Sequence, residues 1–277
     1  MRSGGYLSAD DQPGFTRVAI APGGPMVDCM DESGLVDLVA RVGVSPGAPP
    51  TVIANQNLHS LHFWYGDGEV REFFGEAEYV HADGMSVILL NRLFGDGSLS
   101  RRYRLAYLDF MDRIWSLADD QGWRVYLLGG SDARNERFRE WLHGTFPGVE
   151  LHCRDGFFDV AADSADVVAD IGRIRPHLLL IGMGMPRQER WLQRHRYELS
   201  AGVVMTSGAY PDYMVGEIRV APRWLGRLGL EWAYRLITSP RRTGWRYLVE
   251  PWVVVARMLS ARRSALRTAR ADGGEQR

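Results

Sequence analysis

The chain has 277 residues, 45% hydrophobic and 24% charged, which is enough apolar material for a full globular core and excludes a disordered or fibrous polypeptide. Its two cysteines, Cys29 and Cys153, stand far apart, which argues against a disulfide framework or a cysteine-built zinc site and fits a reducing compartment. The net charge of -1 conceals a division: all 33 basic residues are arginine, residues 1–218 carry 20 of them against 30 acidic residues, and residues 219–270 carry 12 against Glu231 and Glu250 alone. A GC-rich genome accounts for arginine in place of lysine, but not for the clustering. The basic end points to an anionic partner: a membrane surface, a diphosphate or a nucleic acid. No apolar run reaches the ~20 residues needed to span a bilayer. Residues 1–14 have no apolar signal-peptide core, so export is not expected.

In chain order, residues 1–15 read as a loose tail and 18–21 as a short strand. Residues 33–42 have helical spacing, with Ser33 as N-cap. A turn-rich break at 43–50 precedes a strand at 51–54 and the polar group Asn55-Gln56-Asn57. A strand at 79–82 ends in Asp83-Gly84, and helices are expected at 86–94 and 103–121. A strand at 124–128 opens into Gly129-Gly130-Ser131-Asp132 and a helix running to about 146. Strand 149–153, helix 165–174 and strand 177–181 follow, then helix 186–199 and strand 203–206. Strands alternating with helices predict an α/β, Rossmann-like fold over residues 16–218, a mainly parallel sheet flanked by helices. After Ser207 the alternation stops. Residues 219–277 read as a basic helical appendage, broken at Pro240 and Pro251. Leu248, Trp252, Val255, Leu259 and Leu266 fall on one helical face, with Arg257, Arg262, Arg263, Arg267 and Arg270 mostly off it.

Four polar clusters follow strands: Asn55/Asn57, Asp83-Gly84, Gly129 to Asp132, and Gly184-Met185-Pro186-Arg187-Gln188-Glu189-Arg190-Trp191. In an open parallel sheet, ligands sit outside the carboxyl ends of the strands, so the four would line one crevice. Pro186 suits the first position of a helix whose free N–H groups could face an anion. Asp83 has two readings, a helix N-cap or a general base held at a strand end. Gly129-Gly130 is either a sharp turn or a place where backbone approaches a phosphate. It is neither a G-x-G-x-x-G fingerprint nor a P-loop.

His59 and His62 lack an apparent third ligand, and the usual zinc spacings are absent, so neither a metal nor another cofactor is expected. No Gly-x-Ser-x-Gly elbow appears. In the appendage, Arg235, Arg242 and Arg246 share a helical face, which is either a solvated basic face or an anion-binding one. Trp224, Trp232, Trp245, Tyr247 and Trp252 interleave with them, which is the makeup of an interfacial helix rather than of a nucleic-acid binder.

From about residue 51 to 247 these residues together resemble the WecG/TagA/CpsF family, glycosyltransferase family 26. The family's G-x-P-x-Q-E-x-W motif is matched by Gly184, Pro186, Gln188, Glu189 and Trp191, and its aspartate-glycine by Asp83-Gly84. Its R-A-P-x-W run appears as Val220-Ala221-Pro222-Arg223-Trp224, its E-W-x-Y-R as Glu231 to Arg235, and its P-x-R as Pro240 and Arg242. The T-x-N element reads Asn55-Gln56-Asn57. The R-x-x-G-x-D element reads Arg104, Tyr107, Asp109, with tyrosine in the place of glycine.

The resemblance implies a peripheral enzyme on the inner face of the cell membrane. It would be inverting and metal-independent, moving a sugar from a UDP-sugar to a polyprenyl-diphosphate-linked sugar. Asp83 would be the catalytic base with Asn55 and Asn57 beside it, and Arg104 and Asp109 would lie close by. Gly129, Gly130, Gly184, Pro186, Gln188 and Glu189 would serve the donor. Arg235, Arg242 and Arg246 would reach the acceptor diphosphate. The family forms small oligomers in places, which leaves a homo-oligomer open. A nucleotide-binding, membrane-associated adaptor without chemistry is the alternative.

Overall fold

The computed structural model describes residues 14–47, 49–222, 225 and 230–272, without the side chains of Arg242 and of residues 264–272. Most of the expected tail, together with Arg223, Trp224 and the side chains of Leu266, Arg267 and Arg270, lies outside the described residues. Six strands form one parallel sheet: β3 (Thr51–Gln56), β4 (Tyr79–Ala82), β5 (Arg124–Gly129), β6 (Glu150–Arg154), β7 (Leu178–Gly182) and β8 (Val203–Thr206). Their order is β4-β3-β8-β7-β5-β6, and every pairing is parallel. This is the α/β, Rossmann-like architecture expected from the alternation.

The central strands are apolar on both faces because helices cover both. Alternate residues part accordingly. Val52, Ala54, Leu179 and Ile181 pack in one cluster with α2 (Leu58–Trp64), α3 (Gly68–Glu76), α4 (Met85–Phe94), α7 (Val160–Ile174) and α8 (Arg187–His195). Ile53, Leu178 and Leu180 pack in the other with α1 (Glu32–Gly43), α5 (Tyr107–Asp120) and α6 (Asp132–Thr145).

Several local expectations are corrected. The strand read near residue 18 is one arm of an antiparallel hairpin, β1 (Arg17–Ala19) with β2 (Met26–Asp28). Three-residue arms are too short to show alternation. Buried Asp28 ties this hairpin down, accepting from Arg17 and, at 2.7 Å, from the Val80 amide of β4. Helix α1 starts earlier than expected, since Asp31 rather than Ser33 accepts the capping bond from Gly34 N. Helix α5 starts later. Leu105 N donates to Ala82 O, so residues 104–105 run alongside the end of β4 before the helix begins. Pro186 stands just before α8, at its N-cap rather than its first turn. Trp191 is a core anchor, 1% exposed, and its indole N–H donates to Ser164 Oγ of α7 at 3.0 Å.

After the short helix α9 (Tyr210–Met214) that follows β8, three helices close the described chain: α10 (Glu231–Thr238), α11 (Pro240–Leu248) and α12 (Glu250–Asp272). The break before α12 falls at Val249, and Pro251 sits harmlessly in its first turn. The apolar face read from the spacing lies mostly outward, with Val255 packed against the core. Leu248 is 57% and Trp252 74% exposed, while Glu250, Val254 and Met258 are buried. The reason is polar. His59 Nδ1 of α2 meets Glu250 Oε2 at 2.8 Å, and Arg257 Nη1 donates to His62 O at 3.0 Å. Those two contacts fix the rotation of α12 and turn its 250/254/258 edge onto α2. Among the described residues, no helix is long and apolar enough to cross a membrane.

Trp191→Ala removes a fully enclosed indole and the bond that Ser164 Oγ accepts from it, while the Ser164 hydroxyl still donates to Val160 O. The expected loss is about 3–5 kcal/mol of unfolding free energy, read from urea denaturation at unchanged m-value.

Candidate active site

The parallel pairing of β3 with β4 sets Asn55 opposite His81 and Gln56 opposite Ala82. The next residues, Asn57 and Asp83, therefore emerge together at the carboxyl edge. Asp83 N donates to Gln56 O at 2.8 Å, which continues the ladder one step past the strand. The Asp83 carboxylate does not cap α4. The N-cap is Gly84, at φ 90°, and no side chain bonds the helix start. Instead Asp83 Oδ2 accepts from Asn55 Nδ2 at 3.3 Å and from Asn57 Nδ2 at 3.2 Å. Of the two readings of Asp83, the cap is thereby excluded.

Both amides are themselves oriented. Asn55 Oδ1 accepts from the Thr206 hydroxyl of β8 at 2.8 Å. Asn57 Oδ1 accepts from the His59 and Ser60 amides and so caps α2. Tyr107, which replaces the expected glycine, is buried and donates its hydroxyl to Thr206 O at 2.9 Å. Its ring packs beside His81 and Tyr210. Burial raises the Tyr107 pKa well above its ordinary value, and Asp83 adds to that. His81 is wholly enclosed with both ring nitrogens unpartnered. Burial drives its pKa down to about 4 against the pull of Asp83, so it stays neutral. Tyr107 stood out in the sequence only as a tyrosine in the place of glycine, and Thr206 not at all, because nothing local in the sequence announces a strand-end hydroxyl bonded across the sheet.

Arg104 and Asp109 come together at 2.8 Å, with Arg104 also 3.9 Å from Glu231 of α10. The tyrosine at 107 leaves that pair intact. Arg235, on the same helix as Glu231, sits 5.3 Å over the Tyr213 ring. Burial pulls the Arg235 pKa down, but Tyr213, Tyr247, Asp83 and Glu231 outweigh it and leave it raised. Burial likewise raises Tyr213, opposed by Arg235 and Arg246. Arg246 itself lies 5.9 Å over the Tyr247 ring. Arg235 and Arg246 thus converge on Tyr213, with Asp83 in electrostatic reach. The Arg242 side chain lies outside the described residues.

The remaining candidates lie along the same sheet edge, not beside Asp83. Gly129 and Gly182 are register partners, and a Cβ on Gly129 would fall 2.3 Å from Gly182 O. A Cβ on Gly182 would fall 2.8 Å from Gly208 O. The floor at the ends of β5, β7 and β8 is therefore bare backbone, with Gly129 and Gly130 at φ 147° and 63°. Gly184 follows at φ 80°, and Pro186 leads into α8. Gln188 and Glu189 point inward and are buried. Gln188 Nε2 donates to Glu189 Oε1 at 2.7 Å, and Gln188 Oε1 and Glu189 Oε2 have no partner. Burial pushes the Glu189 carboxyl up to about 7. Gln56, within the Asn55-Gln56-Asn57 group, and Arg134, Asn135 and Ser207, unremarked in the sequence, also hold buried polar atoms without partners. Buried polar groups are nearly always bonded, so such a row along one edge marks a place built for something else. Among the described residues, no group of three or more His, Cys, Asp or Glu is gathered as for a metal.

A parallel sheet with a carboxylate and a glycine floor at its carboxyl edge, joined by arginine-bearing helices, fits the glycosyltransferase class, which the family match establishes. The chain belongs to the glycosyl transferase WecG/TagA/CpsF family, whose model matches residues 21–268. Among its relatives are the N-acetylglucosaminyldiphosphoundecaprenol N-acetyl-beta-D-mannosaminyltransferases of Staphylococcus aureus strains MRSA252 and NCTC 8325 / PS 47. Each is 25% identical over 204 residues, covering 70% of this chain and 78% of the relative.

A carboxyl whose pKa is raised on folding stabilises the fold below its ordinary 4.5, and that contribution is lost as pH rises through about 7. Glu189→Gln carries no such charge. Between those two pH values, wild type should lose on the order of 3 kcal/mol relative to Glu189→Gln, seen as diverging denaturation midpoints. Parallel midpoints across that range would contradict the assignment.

Proposed function

We propose that this glycosyltransferase moves a sugar, with N-acetylmannosamine as the first candidate, from UDP to a polyprenyl-diphosphate-linked N-acetylglucosamine acceptor. The relatives' names supply the acceptor and the sugar. The observation that carries the reading is Asp83, a strand-end carboxylate held by two amides and not engaged as a helix cap. In the proposed step the acceptor hydroxyl gives its proton to Asp83 as its oxygen attacks the donor's anomeric carbon. The bond to UDP breaks, and the diphosphate leaves with the electron pair. One displacement inverts the anomeric centre, which suits a β-linked product from an α-linked donor. Developing charge on the diphosphate would be met by arginine and by backbone N–H groups of the strand-end turns around Gly129, Gly130 and Gly184, without a metal. Asn55 and Asn57 would orient the base, and the Arg104–Asp109 pair would brace the edge of the site.

We assign residues 16–218 to the catalytic body and 219–277 to a basic appendage. Arg235, Arg246 and Arg242 are its candidates for the acceptor diphosphate. Ile237 (80% exposed), Trp245 (67%), Leu248 and Trp252 present an apolar face on these helices. Aromatic and aliphatic groups beside arginine suit the interface of an anionic bilayer. This supports peripheral attachment at the inner face of the cell membrane.

The test is transfer from a panel of UDP-sugars to a short-chain polyprenyl-diphosphate-N-acetylglucosamine, with EDTA present and the product linkage read by NMR. A β-linked product from one donor is expected. No product from any donor, an α-linkage, or abolition by EDTA would each overturn part of the reading. For the appendage, Trp245→Glu with Trp252→Glu should reduce flotation with anionic vesicles by about 10-fold or more, while the unfolding midpoint holds because neither ring is buried.

A further inference from the structure

A groove of about 400 Å³ runs between α4 and the segment 97–101 that returns beside it. On α4 it is lined by Met85, Ile88, Leu89 and Arg92, which lie three or four residues apart and so share one helical face. Leu99 and Arg101 line it from the returning segment. Ile88 and Leu99 are buried and give it an apolar floor, while Leu89 is 51% exposed. Arg92 and Arg101 are exposed, and among the described residues neither guanidinium is engaged in a hydrogen bond or ion pair.

Both ends of the returning segment are tied down. At the outer end, fully buried Asn91 donates through Nδ2 to Ala19 O at 3.0 Å and accepts at Oδ1 from Leu99 N at 3.0 Å. At the inner end, Arg104 bridges to Ala82, and Leu105 N donates to Ala82 O. The groove therefore begins two residues after Asp83 and reaches Arg92 seven residues further on, about 10 Å along the helix. Its inner end also adjoins the basic appendage. Arg104, one tight turn on from Arg101, stands 3.9 Å from Glu231, and Arg235 follows one turn later on that helix.

We propose that this groove receives the lipid end of the acceptor, with Arg101 meeting the diphosphate and the first isoprene units lying on Ile88, Leu89 and Leu99. This rests on the polyprenyl-diphosphate reading above and adds to it a lipid site on the catalytic body. The diphosphate is joined to the acceptor sugar's own anomeric carbon, so it lies a sugar ring away from the hydroxyl that faces Asp83. Arg101 is set back from Asp83 by one tight turn, a separation of that order. Arg235 approaches the same diphosphate from α10. An apolar strip that starts at a cation matches a hydrocarbon chain that starts at a diphosphate: burial holds the chain and charge-assisted hydrogen bonds hold its head. The stem of Arg92 can cover the chain at the outer end while its guanidinium stays in water.

The test compares two acceptors that differ only in the chain, N-acetylglucosamine diphosphate carrying a two-isoprene geranyl group and the same compound capped with methyl. Both stay in water, so attachment to a bilayer does not enter. KM is measured with the donor that the panel above identifies, using the whole chain as wild type, Leu89→Glu, Arg101→Ala and Leu93→Glu, with UDP affinity, melting and sedimentation followed in parallel. Wild type should favour the geranyl acceptor by at least ~10-fold in KM, and Leu89→Glu should bring that ratio close to one. Arg101→Ala should raise KM for both acceptors by at least ~10-fold. Leu93, 70% exposed on α4 but outside the groove, is the control, and Leu93→Glu should keep the wild-type ratio. A wild-type ratio near one, or an unchanged ratio in Leu89→Glu, would overturn the proposal. If that unchanged variant also sedimented as a smaller species, the groove would belong to a second copy of the chain. Wild-type KM for both acceptors in Arg101→Ala would overturn the diphosphate contact. Wild type that binds UDP but transfers to neither acceptor would instead sink the acceptor reading, and this proposal with it.

Discussion

A carboxylate held at the edge of a parallel sheet by two neutral amides is the constraint on which the rest of this molecule turns. Asp83 meets Asn55 and Asn57 only because β3 and β4 pair in one register. A slip of one residue between the two strands would put Asp83 on the opposite face from both amides. The hydrogen bonds are long, at 3.2–3.3 Å, so neither amide grips the carboxylate tightly. What fixes the arrangement is the layer behind it. Thr206 orients Asn55, the start of α2 orients Asn57, and Tyr107 ties the Thr206 carbonyl to α5. Three strands and two helices thus converge on one acid without neutralising it.

The same edge links to the C-terminal helices. Helix α2, capped by Asn57, is the platform for α12 through His59–Glu250 and Arg257–His62. Helix α10 reaches the opposite flank through Glu231 near Arg104 and Arg235 over Tyr213. The basic segment is therefore packed onto the elements that position the acid. Its inward face joins those polar contacts to buried Val254 and Met258, and its outward face carries exposed tryptophan and isoleucine. That division keeps the apolar stripe read from periodicity mostly on the outside and adds an inward edge that periodicity did not show.

The sheet was legible because buried parallel strands read as short apolar runs between glycine turns, and all six were found. Polar clusters after β3, β4, β5 and β7 were legible for the same reason, since turn chemistry and strand-end chemistry coincide there. The hairpin was half missed and α2–α3 entirely, because their segments are short and rich in histidine and aromatic residues without a clean period. The inward edge of α12 was not legible because it depends on two polar contacts to α2 that no one-dimensional pattern contains. Arg134 escaped notice because an arginine in a helix's first turn is ordinary until its burial is known. The motif around Trp191 was read as serving a ligand through Gly184, Pro186, Gln188 and Glu189, and what the sequence did not show is that its tryptophan is a core anchor and that Gln188 bonds Glu189 in a buried pair.

The most direct measurement is Asp83→Asn, assayed for UDP binding and for single-turnover transfer in the same preparation. The side chain keeps its size and its acceptor oxygen, and loses only the ability to take a proton. A base at this position predicts nucleotide affinity close to wild type and a rate lower by ~10²–10⁴-fold. Transfer at the wild-type rate with affinity intact would contradict the assignment of Asp83 as the base.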